Sequence, residues 1–182
     1  MGQGAHGVYY IYSVLDWQQA GISAATIGWL WAAGVIAETL LLLGPGRALV
    51  ARIGPSRALA LAAGAGILRW GLMAMGPDLP WLWPLQAMHA LTFAVAHLGA
   101  TAFIAKAIPP RMAASAQGVL SGVIGGSVTG GTLFLAALLT QQAGIGAAYM
   151  MAAAVAGAAA LCALILGWMW RGERLVPEPA NS

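Results

Sequence analysis

The chain has 182 residues, of which 60% are hydrophobic and 7% charged, with a formal net charge of +3. A soluble domain carries roughly a quarter charged residues, so this composition excludes an ordinary water-facing surface and fits the bilayer as solvent. The bases neither gather on one face nor alternate with aromatics, which argues against nucleic acid as a partner. The single cysteine, Cys162, sits in an Ala/Leu run, so neither a disulfide framework nor a cysteine-based metal site can be built.

A helix needs about 20 apolar residues to cross the hydrocarbon layer. Six stretches qualify: 4–20, 24–43, 57–75, 81–104, 113–139 and 145–170. Pro and Gly punctuate the intervals at Gly44, Pro45 and Gly46, at Gly54 and Pro55, at Gly76 and Pro77, and at Pro109 and Pro110. The predicted fold class is therefore an all-α integral membrane protein of six transmembrane helices spanning 1–171.

The first span is polar along one stripe. At 100° per residue, Gln3, His6, Tyr10, Ser13 and Trp17 share a face, with Tyr9 and Asp16 at its edge. Lipid does not tolerate such a stripe, so it faces either another helix or a wet cavity. The aromatic-plus-polar makeup favours a cavity lining. The second span carries Glu38 and the third Arg69, both well inside their apolar runs, where a charge costs about 2.5–3.5 kcal/mol. The two are expected to pair, directly or through water. Such a pair either locks two helices or forms a substrate or proton site. On the fourth span Gln86, His89, Phe93 and His97 share a face, with Thr92 at its flank. His89 titrates near neutral pH when unperturbed, which suits a proton relay.

The fifth span places Gly118, Gly122, Gly126 and Gly130 at four-residue steps, the small-xxx-small spacing that lets helix backbones approach. That ladder predicts a helix packed inside a bundle. The sixth span is almost wholly Ala, Leu, Gly and Val, which suits a peripheral, partly lipid-facing helix. The tail 172–182 is polar and Pro-containing and reads as a disordered cytoplasmic segment.

Orientation follows from the bases. Arg47, Arg52, Arg57, Lys106, Arg111, Arg171 and Arg174 are seven of the eight Lys and Arg residues, and a six-span topology puts all seven on one side. The positive-inside rule makes that side, and both termini, cytoplasmic. No Walker loop, zinc motif or haem motif is present, so neither metal nor cofactor is expected and the chain is not read as an enzyme.

With these spans placed, the sequence resembles the second half of major facilitator superfamily transporters, in the group of lactose permease and the phenylpropionate-type transporters. Gly34, Val35, Ile36, Ala37 and Glu38 resemble the eighth family helix with its glutamate, and Leu68, Arg69 and Trp70 the ninth with its arginine. His89, Ala90, Leu91, Thr92 and Phe93 resemble the tenth with its histidine. The stretch from Tyr12 to Asp16 is similar to the acidic part of the seventh helix in sugar permeases. Thr92 stands where the permease pattern has an acid, and Gln86 where it has a lysine.

The resemblance implies half of a twelve-helix bundle in a cell membrane, the bacterial inner membrane above all, with a substrate and proton site at Glu38, Arg69, His89 and Asp16. It also implies a small organic solute, with an aromatic or other carboxylate the better guess, moved by proton symport. The partners are protons, the lipid bilayer, and a missing N-terminal six-helix half or a second copy. The alternative is a self-contained six-helix membrane protein, either an intramembrane enzyme or a homodimeric channel.

Overall fold

A computed structural model of the chain describes residues 3–176. Every regular element among them is helical. They are α1 (His6–Gln19), α2 (Ala24–Leu43), α3 (Gly46–Ile53), α4 (Pro55–Ala74), α5 (Leu79–Ala87), α6 (Ala96–Ala107), α7 (Pro110–Gly122), α8 (Thr129–Ala143) and α9 (Ile145–Met169). Widened π turns at Ala90–Val95 and Val123–Val128 join α5 to α6 and α7 to α8, giving two continuous rods, Leu79–Ala107 and Pro110–Ala143.

Among the described residues, four helices are long and apolar enough to cross a membrane: Ala24–Leu43, Leu79–Ala107, Pro110–Ala143 and Ile145–Met169. Two of the six expected spans fall short of that standard. With 14 residues, α1 lies below the length a crossing needs. α4 has 20 residues, but Arg57, Arg69 and its many Ala and Gly residues make it less apolar. The interval 44–57 between the second and third expected spans holds α3. Its Val50 is buried against Ala58, Ala62, Val95 and Ala96, while Arg47 and Arg52 stay exposed.

Local chemistry sets the ends. Ser23 Oγ caps α2 by accepting the Thr26 N–H at 3.2 Å. Gly54 turns the chain at φ +87°, and Pro55 opens α4 in the first helical position. Pro84 lies inside α5 and removes one backbone donor just before the first π turn.

Packing rests on close approach of small residues, because lipid supplies no hydrophobic drive between helices. α4 and α9 pack along their lengths, and a Cβ built on Gly66 would lie 3.2 Å from the Ala156 methyl. Around that seam lies the larger core, with Tyr9, Trp17, Leu30, Trp70, Met73, Leu82 and Tyr149 buried in it. α9 buries Ala148, Tyr149, Ala152, Ala153 and Ala156 and leaves Leu161, Leu164, Ile165 and Trp168 exposed.

The glycine ladder meets no close partner among the described residues. α7 and the π turn after it hold no buried residue, and a Cβ at Gly118, Gly122, Gly126 or Gly130 would meet no atom within 4 Å. The ladder therefore makes no close approach to another helix among the described residues. Its close-approach face is free for something outside them. The start of the tail also differs from expectation, since the Leu175 N–H donates to the Ala107 carbonyl at 2.9 Å. Residues 177–182 lie outside the described ones.

Candidate functional site

Three helices bring their costly residues to one place. The approach of α2 to the α5–α6 rod is set at Gly34, where a Cβ would stand 3.4 Å from the Gln86 carbonyl oxygen and 3.6 Å from the His89 Cβ. One helical turn further along α2, Glu38 Oε2 lies 3.0 Å from His89 Nε2. From α4, the fully buried Arg69 points its Nη1 at His89 Nδ1, 3.2 Å away, and donates to Thr92 Oγ1 at 3.1 Å. Its Nη2 donates to Gln86 Oε1 at 3.3 Å.

The expected Glu38–Arg69 pair is thus bridged: the imidazole of His89 stands between the two charges. This geometry fixes the proton on His89. A guanidinium only donates, so Nδ1 accepts and the ring hydrogen sits on Nε2, where it donates to the Glu38 carboxylate. The triad is then cation, neutral imidazole and anion, with no net charge.

α1 closes the cluster. Tyr9 OH donates to Gln86 Oε1 at 2.6 Å. His6 Nε2 lies 3.1 Å from Thr92 Oγ1. The Arg69 guanidinium carbon stands 4.8 Å from the Tyr9 ring centroid and 4.5 Å from that of Trp70, so aromatic faces replace part of its lost hydration. Trp31 stacks on Tyr9 at 4.8 Å and Phe93 on His89 at 5.2 Å. Two donors in the cluster, Arg69 Nε and Gln86 Nε2, find no hydrogen-bond acceptor among the described residues. The outer edge opens at the Glu38 side chain, 18% exposed, and at Tyr10, 45% exposed.

The remaining predicted residues divide. Ser13 and Trp17 are buried on the expected face of α1; Ser13 lies about one turn beyond Tyr9, and the Trp17 ring packs edge-on against Tyr9 at 6.2 Å within the apolar core. Their Oγ and Nε1 atoms have no hydrogen-bond partner among the described residues. Asp16 is half-buried at the same end of α1, about 10 Å along the helix from Tyr9. Gln3 and His97 leave the cluster and line a separate cavity of about 260 Å³ with Phe93, Gln117 and Ser121. His97 shares a helix with His89 but lies about 12 Å further along it. Tyr10, expected on the buried stripe, is turned outward, and Tyr9 takes the inward position. Tyr9 was assigned only to the edge of that stripe. Its three-residue spacing from His6 was the signal that places it on the buried side.

The sequence comparisons bear on this cluster directly. Residues 1–151 match the model of the MFS_1 like family. The chain belongs to that family. Its match therefore includes α1 to α8 and every residue of the cluster. The chain is also 40% identical over 151 residues to a protein of Escherichia coli (strain K12) described as "Probable 3-phenylpropionic acid transporter". That match covers 82% of this chain and 39% of the relative, in the relative's C-terminal part. No solved structure matches the chain. Family membership and the apolar helices make it a multi-pass membrane protein.

Proposed function

We propose that this chain is the C-terminal half of a secondary transporter that moves a small organic carboxylate together with a proton. The observation that carries the reading is the buried Arg69–His89–Glu38 triad. A guanidinium inside a membrane protein needs a counter-charge, and here that charge is held one imidazole away. Protonation of the Glu38 carboxylate neutralises it. Arg69 then lacks its anion, and a substrate carboxylate entering at the open edge supplies one. Proton loss from Glu38 restores the internal balance and expels the substrate anion. Proton and anion thus bind together, which is the sign of symport.

The rings of Tyr9, Tyr10, Trp31 and Phe93 give the site an aromatic wall, and the E. coli relative carries phenylpropionic acid in its printed name. An aromatic carboxylate is accordingly the substrate class. The opposite wall comes from a preceding six-helix half, since substrate sites of such transporters lie between repeats near the midplane. α1 and α4 serve as the two further spans of a six-span half, shielded by neighbours. Both termini face the cytoplasm of the bacterial inner membrane, on the side of the seven bases. Gln3, His97 and Asp16 act at the margins of the substrate path.

The test expresses the chain joined to its preceding half and measures uptake of labelled 3-phenylpropionate at several pH values. Arg69→Gln should abolish uptake. Glu38→Gln should retain substrate exchange but lose acceleration by an inward proton gradient. Full, gradient-driven uptake in Glu38→Gln and His89→Ala proteins that insert normally would remove the proposed site.

A further inference from the structure

A second cavity meets the polar cluster only at Thr92 and runs away from the triad along the helices. It measures about 770 Å³, within the range of roughly 300–1,000 Å³ typical of ligand pockets. Its walls come from α4, α6, α7 and α9. Ala62, Ile104, Met112, Val119, Cys162 and Leu166 are typical of a lining that is almost wholly apolar. α7 buries none of its residues, so the helix stands off the bundle and leaves the groove open along its length.

One end of this groove is basic. Ile108 and Met112 in the lining flank Arg111, and Lys106 lies two residues before Ile108. The far end of α9 arrives at the same place: Phe103 packs edge-on against Trp170 at 4.7 Å, and the Leu175 N–H donates to the Ala107 carbonyl. Arg171 therefore joins Lys106 and Arg111 at the mouth. All three are exposed, and no carboxylate among the described residues forms an ion pair with any of them. The nearby acid is Glu173, whose carboxylate accepts the Arg171 backbone N–H at 2.9 Å.

We propose that this groove binds an anionic phospholipid, with an acyl chain between α7 and α9 and the phosphate held by Lys106, Arg111 and Arg171. A long apolar slot ending in cations matches that ligand at both ends. Basic pockets between membrane helices are suited to such headgroups. A carboxylate solute would leave most of the slot unfilled by anything it can hydrogen-bond. The inference stands on the groove and its rim alone and does not depend on which solute is carried.

The test uses the purified chain in nanodiscs containing phosphatidylglycerol or phosphatidylcholine with a photoreactive diazirine in the acyl chain. Crosslinked peptides are mapped by mass spectrometry. The phosphatidylglycerol probe should mark the segments around Met112, Val119 and Cys162, on the order of tenfold more than the phosphatidylcholine probe. Lys106→Gln with Arg111→Gln should bring the two probes level. Ala159→Trp, which fills the groove, should abolish the marking while leaving the bases in place. Equal yields for both probes in the unaltered chain would overturn the proposal. So would rapid reaction of Cys162 with a charged, membrane-impermeant thiol reagent, at the rate of an exposed Ala48→Cys in a Cys162→Ser background, because the groove would then be a water-filled path. Both overturning readings are taken on the unaltered groove and rim, and only the reference thiol at Ala48 carries the conservative Cys162→Ser change, so neither depends on the folding of a redesigned groove.

Discussion

The bridged triad makes a quantitative prediction about charge balance. Hydrogen bonds of 3.2 and 3.0 Å on the two sides of one imidazole put the guanidinium and carboxylate on the order of 8 Å apart, an attraction of about 2 kcal/mol at an effective dielectric constant of about 20. Removing one charge leaves the other buried without its partner, and such losses run to about 3–5 kcal/mol. Removing both should therefore cost less than the sum of the two single changes. The perturbation is a double-mutant cycle of Glu38→Gln and Arg69→Gln in the same purified chain. The assay is reversible unfolding by sodium dodecyl sulfate in mixed micelles, followed by circular dichroism. The expected coupling is about 2 kcal/mol, within the range found for residues sharing one network. Additivity within about 0.5 kcal/mol would falsify the account, since the two charges would then not sense one another through His89.

Three further outcomes follow from the geometry. Gly34→Ala should be tolerated in transport by the completed protein, because its Cβ meets the Gln86 carbonyl at 3.4 Å. Gly34→Leu should push α2 from the α5–α6 rod and abolish uptake without loss of membrane insertion, at a cost of about 1–3 kcal/mol. Leu at Gly122 and Gly126 should leave the unfolding of this chain within about 0.5 kcal/mol of the original, as for surface changes, yet weaken co-purification with the preceding half. Unchanged co-purification would mean that the ladder faces lipid. A cysteine at Ala48, with Cys162 replaced, should resist an impermeant thiol reagent in intact cells and react in inverted vesicles, and the reverse pattern would invert the topology.

Glu38, Arg69 and His89 were legible as a group because each is expensive in hydrocarbon, and three such residues on neighbouring helices have few other places to go. The order in which they meet was not legible. It depends on α2 approaching at Gly34, and a glycine in an apolar run signals close approach without naming the partner. Tyr9 and Tyr10 differ by 100° around α1, so a small rotation of that helix decides which ring faces inward. No one-dimensional pattern fixes that rotation, since it is set by Gln86 and Trp70 on other helices. α3 was missed because eight residues of mixed character give too short a period to read against the Gly and Pro residues around it. The glycine ladder showed that a close approach is prepared, but spacing alone cannot tell a partner within the chain from one outside it. The basic groove was half legible. Lys106, Arg111 and Arg171 were read as topology signals, and their meeting at one mouth required the ends of α6 and α9 to be placed.

The hydrogen position on His89 has a consequence for insulation of the membrane. A proton that reaches the Glu38 carboxylate meets His89 Nε2, which already carries the ring hydrogen, and the accepting Nδ1 on the far side is covered by the Arg69 guanidinium, which holds all the hydrogens it can carry. The triad is a cul-de-sac. A proton entering from one compartment has no onward hop through Arg69 to the other and must leave by the mouth it came in. Current can then cross only if that mouth changes sides. Under the proposed symport, a cell could keep many copies of such a protein in an energised membrane without short-circuiting it, each stationary copy being closed to protons by its own arginine.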